Sequence, residues 1–443
     1  MSTAQLPIAI IGAGPVGLAA AARAVERQLP FVLLEAGAGV GSALRAWGHV
    51  RVFSPWAYNI DDAAHALLKS TGWLAPKPTA LPTGREIVET YLEPLAAHPA
   101  IAPNIILNAR VTRVARADND KMNDANRADS PFVVRWRDGE GEERETRARA
   151  VIDATGAWTQ PNPIGVNGLP VLGEAAAREF IEYGIPNVRE QRERFAGKRI
   201  LVVGGGHSAI NVALDLLALQ KDAPDTQVFW ALRRNRIDKL LGGGINDQLP
   251  ERGALGLAAM EAIKANRLTM LAPFAVSRLS SEGGTVKVQA TLAGEDTSLD
   301  VDRIVVATGL RPNLDMLREL RVSIDPSVEA PPALAPLIDP NLHSCGSVPP
   351  HGVVELTHPE PNFYIVGSKA YGRAPTFLMA TGYEQVRSVV AELAGDHEAA
   401  RRVELVLPET GVCNTSAVHG LKGAVELVSG EGAAKSACCG AAA

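Results

Sequence analysis

Short apolar runs recur along the chain, and two of them lead directly into glycine-rich turns that are followed by long apolar segments. Residues 8–11 read Ile-Ala-Ile-Ile, and residues 199–203 read Arg-Ile-Leu-Val-Val. Neither run alternates polar with apolar positions, so each predicts a short, buried strand. The segment after each turn predicts a helix, and the pattern in both places is therefore strand, turn, helix.

The first turn carries Gly12, Gly14 and Gly17 at the spacing G-x-G-x-x-G. The first glycine permits a tight turn, the second lets a diphosphate approach the backbone, and the third allows close packing of helix on strand. The next predicted strand, Phe-Val-Leu-Leu-Glu-Ala at residues 31–36, places Glu35 at its end, where its carboxylate can accept a hydrogen bond from a ribose 2′-hydroxyl. We expect a dinucleotide here, with its diphosphate at the helix N-terminus.

The second turn repeats the pattern with Gly204 and Gly206, and Ala209 takes the third small position. The strand that follows, residues 227–234, has no acidic residue and ends with Arg233 and Arg234. A guanidinium binds a phosphate through two hydrogen bonds, whereas a carboxylate would repel it. The second turn is therefore predicted to bind NADPH, although two solvated arginines without a ligand would give the same sequence.

Ser208 raises an alternative, because a serine on a strand-to-helix turn is also typical of hydrolases with a G-x-S-x-G nucleophile turn. The second glycine of that motif would fall at position 210, which is Ile210. A β-branched residue fits such a turn poorly. We therefore expect His207 and Ser208 to lie beside a nicotinamide nucleotide.

The two halves of the chain repeat one architecture. Each turn is followed by several predicted strands, the last of which ends in Ala-Thr-Gly, at residues 154–156 and 307–309. Residues 117–130, between two of these strands, are expected to form a mobile polar tip. The repeat is a duplicated domain and not a solenoid.

Composition narrows the class of protein. The chain has 443 residues and a formal net charge of −5, with Lys and Arg spread along it, so we expect no nucleic acid partner. No apolar run is long enough to span a membrane, and the N-terminal residues leave no room for a signal peptide. Four cysteines do not make a disulfide framework in a chain of this length. We expect a cytoplasmic protein of two or three domains without a metal site.

With both turns and both Ala-Thr-Gly segments, the chain resembles the flavoproteins that have two dinucleotide-binding domains. That group includes flavin-containing monooxygenases and pyridine nucleotide-disulfide reductases, and residues 362–390 resemble its segment that returns to the flavin. The resemblance implies an α/β fold with two Rossmann-like domains. An NADPH domain (166–309) would be inserted into a discontinuous FAD domain (1–165 and 310–400), and a C-terminal extension (401–443) would follow.

The same resemblance assigns residues to each cofactor. A helix that begins near Phe377 would point its N-terminus at the flavin pyrimidine ring, and Ser368 stands where many members have Asp. For FAD the predicted residues are Gly12, Gly14, Pro15, Gly17, Glu35, Val111, Thr155, Gly156, Gly367, Ser368 and Phe377. For NADPH they are Gly204, Gly206, His207, Ser208, Ala209, Arg233, Arg234, Thr308 and Gly309.

Disulfide reductases of this group need a protein dithiol beside the flavin, and residues 36–60 and 166–309 contain no cysteine. The preferred function is therefore an FAD- and NADPH-dependent monooxygenase that uses O₂ to oxygenate a soft atom, such as S, N or As, of a small substrate. One alternative is an NADPH-dependent reductase of a small acceptor or partner protein. Another is a flavin-binding redox sensor without turnover. The sequence does not indicate the oligomeric state.

The region that would flank the flavin ring contains Arg45, Trp47, Phe53 and Trp56. Its aromatic residues would form an apolar wall that excludes water from a reactive flavin. Ordinary packing between a loop and the sheet explains the same residues equally well.

Cys438 and Cys439 are neighbours in a Gly/Ala-rich tail. Adjacent cysteines form a strained disulfide, but their thiolates suit a soft ion such as trivalent arsenic or mercury. Some flavin monooxygenase-like proteins of arsenic-resistance systems act on trivalent organoarsenicals, and this chain resembles them. The tail would then deliver the substrate to the flavin; the alternative is a flexible tail whose two cysteines have no role.

Overall fold

The computed structural model describes residues 5–234, 250–342, 348–375 and 377–405. All four cysteines, Cys345, Cys413, Cys438 and Cys439, lie outside these ranges. The predicted delivery of substrate by Cys438 and Cys439, and most of the predicted C-terminal extension, therefore lie outside the described residues.

Helices and short strands alternate along most of the described chain. The strands are β1 (Ile8–Ile11), β2 (Phe31–Leu34), β3 (Ile105–Ile106), β4 (Arg110–Arg116), β5 (Phe132–Arg137), β6 (Glu143–Ala148), β7 (Ala150–Asp153), β8 (Ile181–Tyr183), β9 (Arg199–Val203), β10 (Gln227–Ala231), β11 (Thr269–Leu271), β12 (Phe274–Glu282), β13 (Thr285–Leu292), β14 (Glu295–Val301), β15 (Arg303–Val306) and β16 (Phe363–Ile365). The α-helices are α1 (Pro15–Glu26), α2 (Ser42–Ala46), α3 (Asp62–Lys69), α4 (Gly84–Ile87), α5 (Glu93–Ala96), α6 (Arg192–Phe195), α7 (His207–Gln220), α8 (Pro250–Lys264), α9 (Ala335–Ile338), α10 (Met379–Leu393) and α11 (His397–Arg401).

The first sheet is parallel and has the strand order β16-β7-β1-β2-β3. Its central strand β1 is buried along its whole length, as the unbroken apolar run at residues 8–11 predicts. α1 follows β1 directly, and most of its alanines are buried. Small side chains let this helix pack closely beside the strand from which it departs.

The second sheet repeats this arrangement with the strand order β11-β10-β9-β15-β8, and it is also parallel. β9 lies at its centre and leads into α7. Each domain thus has a parallel sheet with a glycine turn between its central strand and the next helix. The predicted α/β fold with two dinucleotide-binding domains is confirmed.

A three-stranded antiparallel sheet accompanies each parallel sheet, β4-β5-β6 in one half and β12-β13-β14 in the other. The polar tip between β4 and β5 is anchored, because the buried guanidinium of Arg127 lies 2.6 Å from the carboxylate of Glu360. Arg116 contacts the same carboxylate at 2.8 Å. The expectation of a mobile tip is therefore wrong at Arg127, whose partner lies far away in the sequence.

Buried apolar residues form separate clusters around the two parallel sheets. The cluster of the first sheet takes its residues from two parts of the chain, Ile8 to Ile152 and Leu317 to Ala400. The clusters of the second sheet lie between Ile164 and Ala307. The second domain is thus inserted between two parts of the first, whereas the boundaries at residues 165 and 309 stay a prediction.

The two chain segments that join the domains run side by side. The backbone N–H of Asn162 donates to the Gly309 carbonyl at 2.9 Å, and that of Arg311 donates to the Gln160 carbonyl at 2.8 Å. The Thr308 hydroxyl donates to the Asn162 carbonyl at 2.9 Å. Thr308 and Gly309, predicted to contact NADPH, therefore also hold the crossing together. None of the described helices is long and apolar enough to cross a bilayer.

Candidate functional site

A cavity of about 1480 Å³ lies between the two domains. Pockets for one small molecule usually measure about 300–1,000 Å³, so there is room here for more than one ligand. Both glycine-rich turns open into the cavity, the first through Gly12, Gly14 and Pro15 and the second through residues 204–208. The two predicted nucleotide sites therefore share one cavity.

The glycines of the first turn have different structural roles. Gly12 has a φ of +99°, and a Cβ there would lie 2.8 Å from the Ala154 carbonyl oxygen. A Cβ on Gly17 would overlap the carbonyl oxygen of Gly12. At Gly14 a Cβ would meet no atom within 4 Å, so the backbone faces open space. Gly12 and Gly17 allow the turn and the packing, and Gly14 leaves the approach to the backbone free.

The second turn has the same division of roles. Gly204 has a φ of +143°, and a Cβ there would overlap the Ala307 carbonyl oxygen, whereas a Cβ on Gly206 would meet nothing within 4 Å. Ala209 is fully buried behind the turn. The N-termini of α1 and α7 both lack a side-chain cap and an acidic residue in the first turn. Their free N–H groups and positive dipole ends suit a diphosphate.

Glu35 lies just beyond the end of β2 and lines the cavity. Its carboxylate accepts hydrogen bonds from the backbone N–H of Ala13 at 2.7 Å, the N–H of Gly37 at 2.8 Å and the hydroxyl of Ser42 at 3.0 Å. A carboxylate offers about four acceptor positions, so one is left for a ribose hydroxyl. The same bonds tie the glycine turn to the end of β2.

A buried chain of hydrogen bonds supports Gly367 from behind. The Gly367 N–H donates to Oε1 of Gln385 at 2.7 Å, and Nε2 of Gln385 lies 2.9 Å from Nε2 of His351. Because the amide nitrogen donates, Nε2 of His351 accepts and its Nδ1 donates to the Pro349 carbonyl at 3.1 Å. Burial lowers the pKa of His351, which keeps the ring in this neutral form.

Helix α10 begins at Met379, close to the start expected near Phe377, and Leu378 before it is still extended. Its N-terminus has no side-chain cap, and both Leu378 and Met379 line the cavity. Phe377 also lines the cavity, and its ring contacts that of Tyr371 edge to face at 5.3 Å. The helix end is thus free to act on a ligand in the cavity through its positive dipole.

Only part of the predicted aromatic wall faces the cavity. Trp47 and Phe53 line it, but Arg45 and Trp56 do not. The guanidinium of Arg45 is exposed and lies 2.6 Å from the carboxylate of Glu93, while Trp56 is buried elsewhere in the core. The prediction that Arg45 and Trp56 flank the flavin ring is therefore corrected: neither lines the cavity. Arg45 is held by its ion pair with Glu93, and Trp56 packs in the core.

Three arginines give the cavity a positive region. Arg233 and Arg234 follow β10 and line the cavity, as does Arg373 from the loop before α10. Partial burial and the charges of Arg234 and Arg373 lower the pKa of Arg233, which places all three charges near one another. The sequence offered no signal for Arg373, because a single arginine in a loop has no distinguishing pattern.

The predicted residues fall into two groups by position. Those that line the cavity are Gly12, Gly14, Pro15, Glu35, Val111, Thr155, Gly156, Gly367, Ser368, Phe377, Gly204, Gly206, His207, Ser208, Arg233, Arg234, Thr308 and Gly309. Gly17 and Ala209 are buried behind the two turns. The sequence reading missed Trp158, Lys369 and Arg373, which also line the cavity.

Comparison with known proteins identifies the family. The model of the pyridine nucleotide-disulphide oxidoreductases matches residues 9–336. The chain belongs to this family. It is therefore an oxidoreductase, and its cofactors are FAD and NADP(H).

Relatives of this pyridine nucleotide-disulphide oxidoreductase have different activities. A ferredoxin–NADP reductase of Lactiplantibacillus plantarum is 26% identical over 72% of this chain and 78% of its own. The indole-3-pyruvate monooxygenase YUCCA1 of Oryza sativa subsp. japonica is 31% identical over 47% of this chain and 44% of its own. The bacillithiol disulfide reductase Bdr of Bacillus cereus shares the fold, with a TM-score of 0.64 at 18% identity over 88% of this chain and 99% of its own.

The residues of this pyridine nucleotide-disulphide oxidoreductase fit both cofactors. Open backbone at Gly14 and Gly206 leaves space for two diphosphates, each at an uncapped helix N-terminus. Glu35 supplies an acceptor at the first site, and Arg233 and Arg234 supply charge for a 2′-phosphate at the second.

Proposed function

We propose that this oxidoreductase is an NADPH-dependent flavoprotein monooxygenase that transfers one oxygen atom from O₂ to a soft heteroatom of a small substrate. One observation carries the proposal. Both cofactor turns open into one cavity, and none of the described residues that line it is a cysteine. Electron transfer through a protein disulfide needs two thiols beside the flavin. A site without them favours direct use of the flavin.

The residues of the chain would bind, orient and shield the reactants. When bound, FAD would supply the chemistry of hydride acceptance from NADPH and of O₂ activation. The free N–H groups of α1 and α7 would hold the two diphosphates, and the N-terminus of α10 would lie against the pyrimidine end of the flavin. Trp47 and Phe53 would exclude water from the site where oxygen is transferred.

The reaction balances without a protein nucleophile. The O–O bond breaks, one oxygen atom joins the substrate, and the other leaves as water. NADPH supplies the electron pair, and one proton is taken from solvent. The similarity to a plant monooxygenase over part of the chain supports this assignment.

A trivalent organoarsenical is the substrate that Cys438 and Cys439 favour, because paired thiolates bind soft ions. Both cysteines lie outside the described residues. Replacing both with serine should raise the KM for such an arsenical and leave the kcat unchanged. An unchanged KM would show that the tail does not deliver the substrate.

The test of the oxygenase proposal uses the purified holoprotein with NADPH, ¹⁸O₂ and a panel of thioethers, amines and trivalent arsenicals. One ¹⁸O atom per product molecule, and one NADPH consumed for each, are expected. The same labelling is expected from a variant in which all four cysteines are serine. If that variant still oxidises NADPH but no longer reduces or oxygenates any substrate, a thiol takes part in the chemistry and the proposal fails.

A reductase is the second candidate, because the ferredoxin–NADP reductase relative matches along most of both chains. Such an enzyme would pass electrons one at a time to an acceptor without using O₂. Anaerobic assays with NADPH and a ferredoxin or ferricyanide separate the two functions. Fast anaerobic reduction of ferredoxin, together with no ¹⁸O in any organic product, would favour the reductase.

A further inference from the structure

A buried lysine lies at the carboxyl ends of the first sheet, beside the cavity. Lys369 ends the short turn of helix that follows β16, and only 1% of its side chain is exposed. Its Nζ lies 2.7 Å from Oδ2 of Asp153 and 3.0 Å from the hydroxyl of Thr155. Asp153 is the last residue of β7, which pairs with β16. The pairing of these strands brings the three side chains together.

This cluster is not explained by stability alone. Removing an ammonium and a carboxylate from water costs free energy that their attraction offsets only in good geometry, and apolar residues of similar volume are often as stable. The Thr155 N–H and hydroxyl already donate to Oδ1 of Asp153, at 3.1 Å and 2.7 Å. A lysine has three N–H donors. Asp153 and Thr155 accept two of them, and no other described residue accepts the third.

Lys369 belongs to a segment that packs against the first glycine turn. Lys369, Thr155 and Gly14 all line the cavity. A Cβ on Gly12 would lie 3.1 Å from the Cα of Thr155, and a Cβ on Gly367 would lie 3.3 Å from Val16 in the first turn of α1. The lysine therefore stands beside the N-terminus of a helix that presents free N–H groups and no acidic residue.

We propose that Lys369 is a cofactor-binding residue, whose third N–H donates to the diphosphate–ribityl part of FAD at the N-terminus of α1. Asp153 and Thr155 are positioning residues that hold the ammonium in a single orientation. The ammonium then donates a charge-assisted hydrogen bond at the most negative part of the cofactor, beside the N-terminus of the helix. This inference depends on FAD alone, so it holds whether the enzyme is a monooxygenase or a reductase.

The main test is the double variant Asp153→Asn with Lys369→Met, which leaves no unpaired buried charge. Its apoprotein and that of the wild type are titrated with FAD, and binding is followed through flavin fluorescence. We expect the Kd for FAD to rise about 10- to 100-fold, the range for loss of a hydrogen bond to a charged group. The melting temperature of the apoprotein is measured alongside, and the control is Lys287→Met, an exposed lysine on β13.

The single variant Asp153→Asn keeps the ammonium and separates two explanations. If Lys369 reaches FAD, the single variant binds FAD more tightly than the double variant. If Lys369 only neutralises Asp153, the double variant folds and binds FAD like the wild type, which overturns the inference. Should the double variant fail to fold, the single variants Asp153→Asn and Lys369→Met are compared instead. Equal Kd values for FAD in these two variants would also overturn the inference that Lys369 contacts FAD.

Discussion

The ring of Phe53 lies 5.4 Å from the ring of His207, measured between centroids. Phe53 belongs to the domain of the first sheet, and His207 is the first residue of α7 in the second domain. The NADPH turn is thus packed against the aromatic wall of the proposed flavin site. This contact places the second glycine turn beside Phe53, at the cavity that both residues line.

Replacing Phe53 with alanine should uncouple NADPH oxidation from product formation. The smaller side chain opens the wall to water, so a larger fraction of the electrons should end in hydrogen peroxide. The measurement compares peroxide with product per NADPH consumed. Phe53→Leu, which keeps an apolar wall, is the matched control and should stay coupled. Equal peroxide yields from both variants and the wild type would show that Phe53 has no shielding role.

Replacing Arg233 and Arg234 with alanine should abolish the preference for NADPH over NADH. Hydrogen bonds to charged groups contribute about 1.5–3 kcal/mol, so the KM for NADPH should rise about 10- to 100-fold. The KM for NADH should hardly change, because NADH has no 2′-phosphate. Arg278→Ala, an exposed arginine outside the cavity lining, serves as the control. A parallel loss with both nucleotides would contradict a phosphate contact.

The first glycine turn offers a matched pair of substitutions with opposite outcomes. Gly17→Ala places a Cβ on the Gly12 carbonyl oxygen, so it should destabilise the apoprotein by about 1–3 kcal/mol, the usual range for overpacking. Gly14→Ala meets no atom, so the melting temperature of the apoprotein should not change. Its methyl group should instead weaken FAD binding. Fluorescence titration and thermal melts of both apoproteins check the pair, and a Gly14→Ala variant with normal FAD affinity would contradict the diphosphate assignment.

Stability should fall as the pH is lowered, because burial lowers the pKa of His358 to about 4. The neutral ring donates through Nδ1 to the Ser323 carbonyl at 3.1 Å. On acidification, the His358 ring of the unfolded chain is protonated first, near the ordinary histidine pKa of about 6.5. This contribution is therefore complete above about pH 6.5 and is lost on acidification, by about 3 kcal/mol near pH 4.

Urea unfolding between pH 7 and pH 4.5 measures the effect of His358. The variant His358→Asn retains a donor for Ser323 but does not titrate, so its free energy of unfolding should fall less steeply. The carboxylate of Asp153 acts on the same ring in the opposite direction and raises its pKa, but burial has the larger effect. Identical slopes for His358→Asn and the wild type would assign the acid sensitivity to other groups.

The local parts of the site could be predicted from the sequence. The glycine turns, the strands before them and the positions of Glu35 and Arg233 follow from spacing and apolar runs, which act over a few residues. The start of α10 could be predicted only approximately, because Phe377 and Leu378 are apolar and give no cap signal. Arg45 was predicted to lie beside the flavin ring because the sequence around it gives no sign that its guanidinium contacts the carboxylate of Glu93.

The contacts between distant segments could not be predicted in this way. Lys369 and Asp153 are separated by 216 positions and meet only because β16 pairs with β7. The chain from Gly367 through Gln385 to His351 likewise depends on how α10 packs beneath the turn. Such polar networks leave no periodic trace, since each member is a single residue in an otherwise ordinary segment.

The paired crossings have a consequence for how such enzymes diversify. The chain leaves the first domain and returns to it at adjacent hydrogen-bonded positions, Asn162 and Gly309, so both covalent connections of the intervening stretch lie at one place. None of the described strands of the first sheet comes from this stretch, so an equivalent stretch from a relative can join the first domain here without interrupting that sheet. A change of coenzyme preference by such an exchange then depends on whether the new stretch still packs against Phe53 as His207 does.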